Sequence, residues 1–509
     1  MPKQVTRFRS VVSWLSSQRF FWLIVALFVV EAAWIALTGR YPMAFDENFH
    51  FGIIKLYAHH PSPFWHGQPE GANEFGAVAR DPSYLYQWLM SFPYRLITVF
   101  THDQTIQVII LRFLNIGLFA SSLPIFRRLL LKLGASKAMT QLSLLLFVLI
   151  PVVPLLAAQI NYDNLFVPAT AAMLLFTITL ADRFERQRPI DVVLLLLFIG
   201  LALLTSLVKY AFLPMLIVLL GFLLFRMYRT AGGWRKLGTN LWLGLKKADR
   251  TKFALVALLL VLACGMCFER YGYNLIHFQT PVPACDKVLD YEHCIAYGPW
   301  ARDYGYKQQH LVANPNPLVY AFGWLHGMWF RLVFTVDGPQ THFQTEGPLL
   351  VPALGSLTFL AVGLGAIVVR GRAVLRRYNG RAIKLLLAAS GLYILALWVD
   401  NYTAYLQVGR AVAVNGRYII PVLPILLMVM ILAVREVLNH RPRLQLLAAT
   451  LAVLVLVWGG GALTYILRST DAWYWPHAPQ IVYDANHAVQ HMIGPITPGY
   501  RHKDQFIFF

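Results

Sequence analysis

Two adjacent acids follow the first long apolar segment of the chain, in Tyr41-Pro42-Met43-Ala44-Phe45-Asp46-Glu47-Asn48-Phe49-His50. Carboxylates edged by apolar residues are partly desolvated, which costs free energy unless they are used or paired. Used, such a carboxylate can take a proton from an attacking hydroxyl, for which it must be ionised and within hydrogen-bond reach. Paired, it caps the helix that begins near Asn48, where negative charge meets the positive helix end. His50, three residues past Glu47, can orient a carboxylate or stand solvated at an interface. A further acid, Asp163, sits in the short turn Ala158-Gln159-Ile160-Asn161-Tyr162-Asp163-Asn164. It can assist Asp46, or serve as the N-cap of the helix starting at Leu165.

Four basic residues complete the set. Lys209 lies between two apolar segments, in Ser206-Leu207-Val208-Lys209-Tyr210. Arg410 and Arg417 precede another, the latter in Gly416-Arg417-Tyr418-Ile419-Ile420-Pro421. Guanidinium forks and ammonium groups suit phosphate oxygens; the alternative for each is snorkelling to lipid headgroups. Arg112 stands about two turns inside an apolar segment, so it faces the protein interior and needs a partner. Acids and bases together suit a substrate with a sugar to attack, a phosphate to release and a lipid tail to bury.

The elements that position these residues follow from composition. Of 509 residues, 58% are hydrophobic and 13% charged, about half the charged share of a water-soluble protein. The apolar residues fall in blocks long enough to cross a bilayer as helices, whose backbones satisfy their own hydrogen bonds. Eleven such helices are expected, at about 20–38, 105–126, 139–158, 164–182, 190–207, 211–226, 252–268, 349–370, 383–399, 418–435 and 444–466. The fold class is therefore an all-α polytopic membrane protein. The segments 48–60 and 81–100 read as amphipathic helices lying in the interface, the second anchored by Tyr84, Tyr86, Trp88 and Arg95.

Charge gives the orientation. With a cytoplasmic N-terminus, the inner segments hold 28 of the 44 Lys and Arg residues but only five of the 24 acids, as the positive-inside rule requires. The high pI is thus a topology signal with anionic lipid as its partner, and gives no reason to expect nucleic acid. The large pieces on the other side are about 39–104, about 269–348 and the tail 467–509, beside one membrane domain over 1–466. The outer aromatics Trp324, Trp329, Trp473, Tyr474 and Trp475 suit an interfacial belt better than sugar stacking. Cys285 and Cys294 lie in the outer segment, where oxidation is permitted, and are expected to pair as a structural disulfide. Cys264 and Cys267 have metal-site spacing, but sit in an apolar helix without His or Asp nearby and read as small packing residues.

Phe45-Asp46-Glu47 with His50-Phe51-Gly52 and Tyr57 resembles the first-outer-loop motif of the protein O-mannosyltransferases. More broadly it resembles the C-type (GT-C) membrane glycosyltransferases, among them the aminoarabinose transferases of lipid A. Arg80-Asp81-Pro82-Ser83-Tyr84-Leu85-Tyr86 resembles their His-Pro-Pro-Leu-type segment, without the His and one Pro. Asn161-Tyr162-Asp163 falls where such enzymes place a second acid. Lys209-Tyr210 is similar to a Thr-Lys-Tyr element, with Val208 for Thr, and Gly416-Arg417-Tyr418 to Pro421 is similar to a Gly-Arg-Tyr-x-x-Pro element. The order of these motifs carries the resemblance, up to about residue 435.

The resemblance implies a GT-C-like bundle; the charge-derived topology puts its active site and C-terminus on the extracytoplasmic side, and compact loops with one outer Asn-x-Ser/Thr sequon, Asn401-Tyr402-Thr403, favour a bacterial inner membrane. It implies an inverting transfer of sugar from a polyprenyl-phosphate donor to a glycan, lipid or protein acceptor. Asp46 would be the base, with Glu47 and Asp163 beside it. Lys209, Arg410 and Arg417 would hold the donor phosphate, supported by His50, Tyr84 and Arg112. No cofactor is firmly implied, and a divalent cation at Glu47 stays open. A lipid-linked glycan flippase and a surface-glycan ligase or polymerase are the alternatives. The first needs a polar path, for which the sequence offers few mid-membrane charges besides Glu31 and Arg112. The second needs no acid pair directly after the first helix.

Overall fold

The protein folds as a bundle of helices, seen in a computed structural model that describes residues 12–60, 62–186, 189–334, 347–439 and 441–500. Lys3, Arg7, Arg9 and Arg188 of the basic segments, 335–346 of the expected outer piece and 501–509 of the tail lie outside the described residues. No strand occurs among the described residues; one isolated bridge joins Gly39 to Tyr474. Among the described residues, eight helices are long and apolar enough to cross a membrane: Gln18–Thr38, Gln104–Lys132, Asp163–Arg186, Tyr210–Ala231, Arg250–Phe278, Leu350–Arg377, Gly380–Val408 and Pro442–Arg468. The chain is an all-α polytopic membrane protein. The other three expected spans are helical but shorter, at Lys137–Val148, Val192–Val208 and Leu423–Val437.

Local chemistry explains where boundaries depart from the apolar runs. The run 139–158 is broken near Pro151, which has no N–H to give the preceding turn, and resumes as Val152–Ala157. The run 444–466 is interrupted between Val457 and Ala462, where Gly459 and Gly461 take positive φ. The Glu31 carboxylate lies against that break, in space that a side chain at 461 would fill. Residues 416–419 form a 3-10 turn ahead of the Leu423–Val437 helix instead of its first turn. The helix from Arg250 runs on past 267 through a π segment, Phe268–Gly272, into Tyr273–Phe278.

The two expected amphipathic helices are present, as Glu47–His59 and Leu85–Phe100. The second buries Tyr86, Gln87, Met90, Ser91, Tyr94 and Ile97 and exposes Leu89, Phe92, Leu96, Val99 and Phe100. Exposed apolar residues at such spacing form one stripe, the pattern of a helix lying against lipid.

Aromatics expected at an interface are largely core instead. Trp324, Trp473 and Tyr474 are buried, because each packs among neighbours that the sequence separates widely. Trp324 donates to Asn401 (2.9 Å), and Trp473 stacks near Phe334 and Tyr465. Trp329 donates to Ser356, and Trp475 lies beside the Arg112 guanidinium. Cys285 and Cys294 are joined by a disulfide, while Cys264 and Cys267 are free thiols.

Many basic residues meet at one end of the bundle. Lys132 pairs with Asp182, Arg226 and Arg381 with Glu185, and Arg377 with Glu436. A cavity of about 450 Å³ there is lined by Asp182, Glu185, Arg226, Arg381 and Lys384 among others. The residues with candidate chemistry gather elsewhere, at the opposite ends of the helices that begin at Asp163 and end at Val208.

Candidate functional site

The site is built on an anchor. Glu47 and Arg112 are fully buried and form a two-pronged ion pair, Nε to Oε1 at 2.8 Å and Nη2 to Oε2 at 2.7 Å. Glu47 also accepts from the backbone N–H groups of Met43 (2.8 Å) and Ile160 (3.1 Å). Arg112 donates further to the carbonyls of Ala36 (3.0 Å) and Gly39 (2.5 Å), at the end of the first helix. Glu47 takes four hydrogen bonds and every Arg112 nitrogen has a partner, which is what makes burying such a pair tolerable. Arg112 thus has the interior partner it needs. Glu47 has no open coordination for a cation and is a positioning residue.

The anchor sets the backbone next to it. With Glu47 plugged inward, Phe45 and Asp46 both adopt positive φ, 61° and 64°. Each such residue costs about 1–3 kcal/mol and persists where its surroundings over-determine it. Asn161 supplies part of that constraint: its Nδ2 donates to the Phe45 carbonyl at 2.7 Å. Asp46 precedes the Glu47–His59 helix, but its side chain makes no capping hydrogen bond. It turns instead to Arg417, whose Nη2 lies 2.5 Å from Oδ2.

This second ion pair is only half satisfied. The Asp46 side chain is 58% exposed while that of Arg417 is 4% exposed. Surrounding protein nevertheless desolvates the Asp46 carboxylate in part. Burial alone would raise its pKa; the charge and hydrogen bond of Arg417, with His50 and Lys209 adding, outweigh burial and hold the carboxyl below its usual range. Arg417 itself keeps two buried nitrogens, Nε and Nη1, without a hydrogen-bond partner. Its guanidinium is flanked by the rings of Phe45 and Tyr418. Glycine is required at 416, since a Cβ there would collide with the Met328 carbonyl and the Leu332 backbone. That close approach seats the turn bearing Arg417 on the Pro317–Val333 helix.

Asp163 and Lys209 form a third pair, buried, at 2.6 Å. The expected cap role of Asp163 passes to Asn161, whose Oδ1 accepts from the Asp163 N–H at 2.9 Å. Asp163 Oδ2 has no partner. The Lys209 ammonium lies over the rings of Tyr162 (4.4 Å), Tyr418 (4.7 Å) and Phe166 (5.7 Å). Tyr418 therefore touches both cations and links the two pairs.

His50 lies one helical turn past Asp46, packed on Tyr162. With the Gln87 amide turned so that its nitrogen donates to the Tyr84 and Ser83 carbonyls, its oxygen accepts from His50 Nδ1 at 3.1 Å. Burial pushes the imidazole down to about 3, against a smaller upward pull from Asp46. It is neutral at physiological pH, with Nε2 as its free acceptor position.

Two expected members lie apart from these contacts. Arg410 is exposed and stacks on Tyr306 (5.0 Å). Tyr84 lies beneath the Arg270 guanidinium (4.4 Å). Arg270 also reaches the carbonyls of Ala79 and Pro63, so Tyr84 belongs to a clamp on the 60–84 segment. Sequence reading missed Arg270, Asn161, Gln87 and Asn115, whose buried Oδ1 accepts from the Tyr86 hydroxyl (2.7 Å) and from Asn164 Nδ2 (3.1 Å). Arg270 stands next to Glu269 just beyond an apolar run, a charge that had to be explained. The three amides carry no such signal, because isolated Asn and Gln are ordinary in loops and helices.

No family model matches the chain, and no curated protein is significantly similar to it.

Proposed function

We propose that this protein is an inverting glycosyltransferase that moves a sugar from a polyprenyl-phosphate donor to an acceptor hydroxyl. The observation that carries the reading is Arg417, which holds the Asp46 carboxylate with one nitrogen and keeps its other two, both buried, without a partner beside it. A buried guanidinium with unused donors gains from an arriving anion, and its fork suits phosphate oxygens.

In the proposed step, Asp46 takes the proton of the acceptor hydroxyl. The acceptor oxygen bonds to the anomeric carbon from the face opposite the leaving group. The bond from that carbon to the phosphate oxygen breaks, and its electron pair departs with the polyprenyl phosphate. Arg417 and Lys209 meet the charge that develops there, fixed in place before the reaction. Donor phosphate would also draw Arg417 away from Asp46. The carboxylate, held too low to be a good base in the free protein, would then rise toward an effective range. The cytoplasmic N-terminus and the extracytoplasmic site rest on the charge distribution, the bacterial inner membrane on the compact loops and scarce sequons, and all three belong to this proposal.

Turnover of a radiolabelled polyprenyl-phosphate hexose by purified protein tests it. Wild type releases polyprenyl phosphate and labels an acceptor, and Asp46→Asn binds donor but transfers at least about a hundredfold more slowly. Equal rates would remove Asp46 from the mechanism. Movement of the lipid across vesicles by both proteins, without transfer, would make the protein a flippase.

A further inference from the structure

The basic end of the bundle, opposite Asp46, holds the cavity of about 450 Å³ between four membrane-spanning helices, Asp163–Arg186, Tyr210–Ala231, Leu350–Arg377 and Gly380–Val408. Small-ligand sites are typically about 300–1,000 Å³. The charges in and around this cavity do not balance. Glu185 serves two guanidinium groups: it accepts from Arg381 Nη1 at 3.2 Å and pairs with Arg226. Asp182 is taken by Lys132 at 2.9 Å. Lys384 also lines the cavity and has no ion-pair partner among the described residues. Four cations thus meet two carboxylates. The corner that carries Arg381 is fixed by its neighbour Asn379. The Asn379 backbone N–H donates to the Leu133 carbonyl (2.9 Å), its Nδ2 donates to the Lys132 carbonyl (3.1 Å), and its Oδ1 accepts from the Ala382 N–H (3.2 Å). Glycine is needed at 380, where a Cβ would collide with the Leu375 carbonyl. The backbone that bears the surplus charge is therefore set before any ligand arrives.

We infer that this cavity binds the headgroup of an anionic phospholipid, with Arg381 and Lys384 on its phosphate and Arg226 deeper in the cavity. A phosphate supplies the missing anion, and Arg381, which spends one nitrogen on Glu185, has others to give it. Basic pockets between membrane helices on the cytoplasmic side suit such headgroups, and the charge-derived topology puts this end there. The apolar lining selects a lipid over a free phosphate. Ile178, Phe222 and Leu375 form part of the wall. On two of the same helices Leu224, Phe225, Val368 and Val369 are exposed, as residues facing acyl chains are. A lipid in the adjoining leaflet thus reaches the cavity with its headgroup while its chains stay on those faces. This goes beyond the diffuse attraction of basic loops for an anionic surface, because the cations line one bounded volume. It is also independent of glycosyl transfer.

The test is binding to the delipidated full protein in dodecyl maltoside, read by thermophoresis. The probes are dioctanoyl phosphatidylglycerol, dioctanoyl phosphatidylcholine and inorganic phosphate. Wild type is expected to bind the glycerol lipid at least about tenfold more tightly than the choline lipid, whose own cation meets those of the cavity. Arg381→Gln with Lys384→Gln should shrink that ratio to about threefold or less. Lys384→Gln alone breaks no ion pair, so it keeps the fold, and should still lower the ratio by about threefold. Lys246→Gln with Lys247→Gln removes the same charge from outside the cavity and should leave the ratio within about twofold of wild type. Equal affinity for the two lipids, an unchanged ratio in both cavity variants, or an equal loss in the Lys246 and Lys247 variant overturns the inference. Inorganic phosphate binding as tightly as the glycerol lipid overturns the assignment to lipid.

Discussion

Asp46 and Glu47 are neighbours in sequence and opposites in structure. Glu47 points into a sealed region where its two oxygens take four hydrogen bonds and its partner Arg112 is equally complete. Asp46 points into an open region where Arg417 still has donors to spare. Both pairs join a carboxylate to a guanidinium. What separates anchoring from chemistry is whether the hydrogen-bonding capacity is used up, since a saturated group has nothing left to offer a ligand.

The contrast is broken most forcefully from the sealed side. Glu47→Gln or Arg112→Met leaves one buried charge without its partner and should destabilise the protein by about 3–5 kcal/mol, read as a lower thermal midpoint in detergent. A change below 1 kcal/mol would mean that water reaches this pair. On the open side, Asp46→Asn should lose at least about a hundredfold in transfer rate with a thermal midpoint lowered by less than in the Glu47 and Arg112 variants, because the Asp46 carboxylate is solvent-exposed and Asn tolerates the left-handed backbone there. Comparable melting of the Glu47 and Asp46 variants would erase the distinction.

Arg417→Gln is the next step down. Its carboxylate partner is held below the usual range by that guanidinium. The stability from this pair is therefore present above the ordinary carboxylate range and lost only as pH falls through the depressed value. The acid limb of kcat/KM should accordingly lie below that range in wild type and move up in Arg417→Gln, with donor affinity down by about tenfold. If donor phosphate draws Arg417 away, the acid limb of kcat lies above that of kcat/KM in wild type. Coincident limbs would show that the pair survives donor binding. Smallest of all, Arg410→Ala loses only a stacked contact with Tyr306, worth about 0.5–1 kcal/mol, and should leave donor affinity within about twofold. A larger loss would return Arg410 to the phosphate site.

Much of this was legible in the sequence for physical reasons. Long apolar runs in a chain this poor in charge can only be helices in lipid, and the expected spans all coincide with helical segments. Arg112 announced its need for a partner by standing inside an apolar segment. Adjacent acids at 46 and 47 announced a costly place for charge. Which acid was locked and which open was not legible, because spacing treats neighbours alike and the decision lies in partners 65 and 371 positions away. Arg410 and Arg417 looked equivalent for the same reason. The aromatics at 324 and 473–474 misled because a Trp near a helix end reads identically whether it meets lipid headgroups or a neighbouring helix.

The Glu47–Arg112 pair also constrains how the chain is made. An arginine at the centre of an inserting helix costs about 2.5–3.5 kcal/mol on translocon scales, enough to stall entry of a segment that is otherwise apolar. Glu47 is synthesised 65 residues before Arg112, together with the carbonyls at 36 and 39 that the guanidinium will grip. The first two long helices therefore bring the charge and its counter-ion together within one hairpin, and the loop that presents Asp46 is fixed by the same contact.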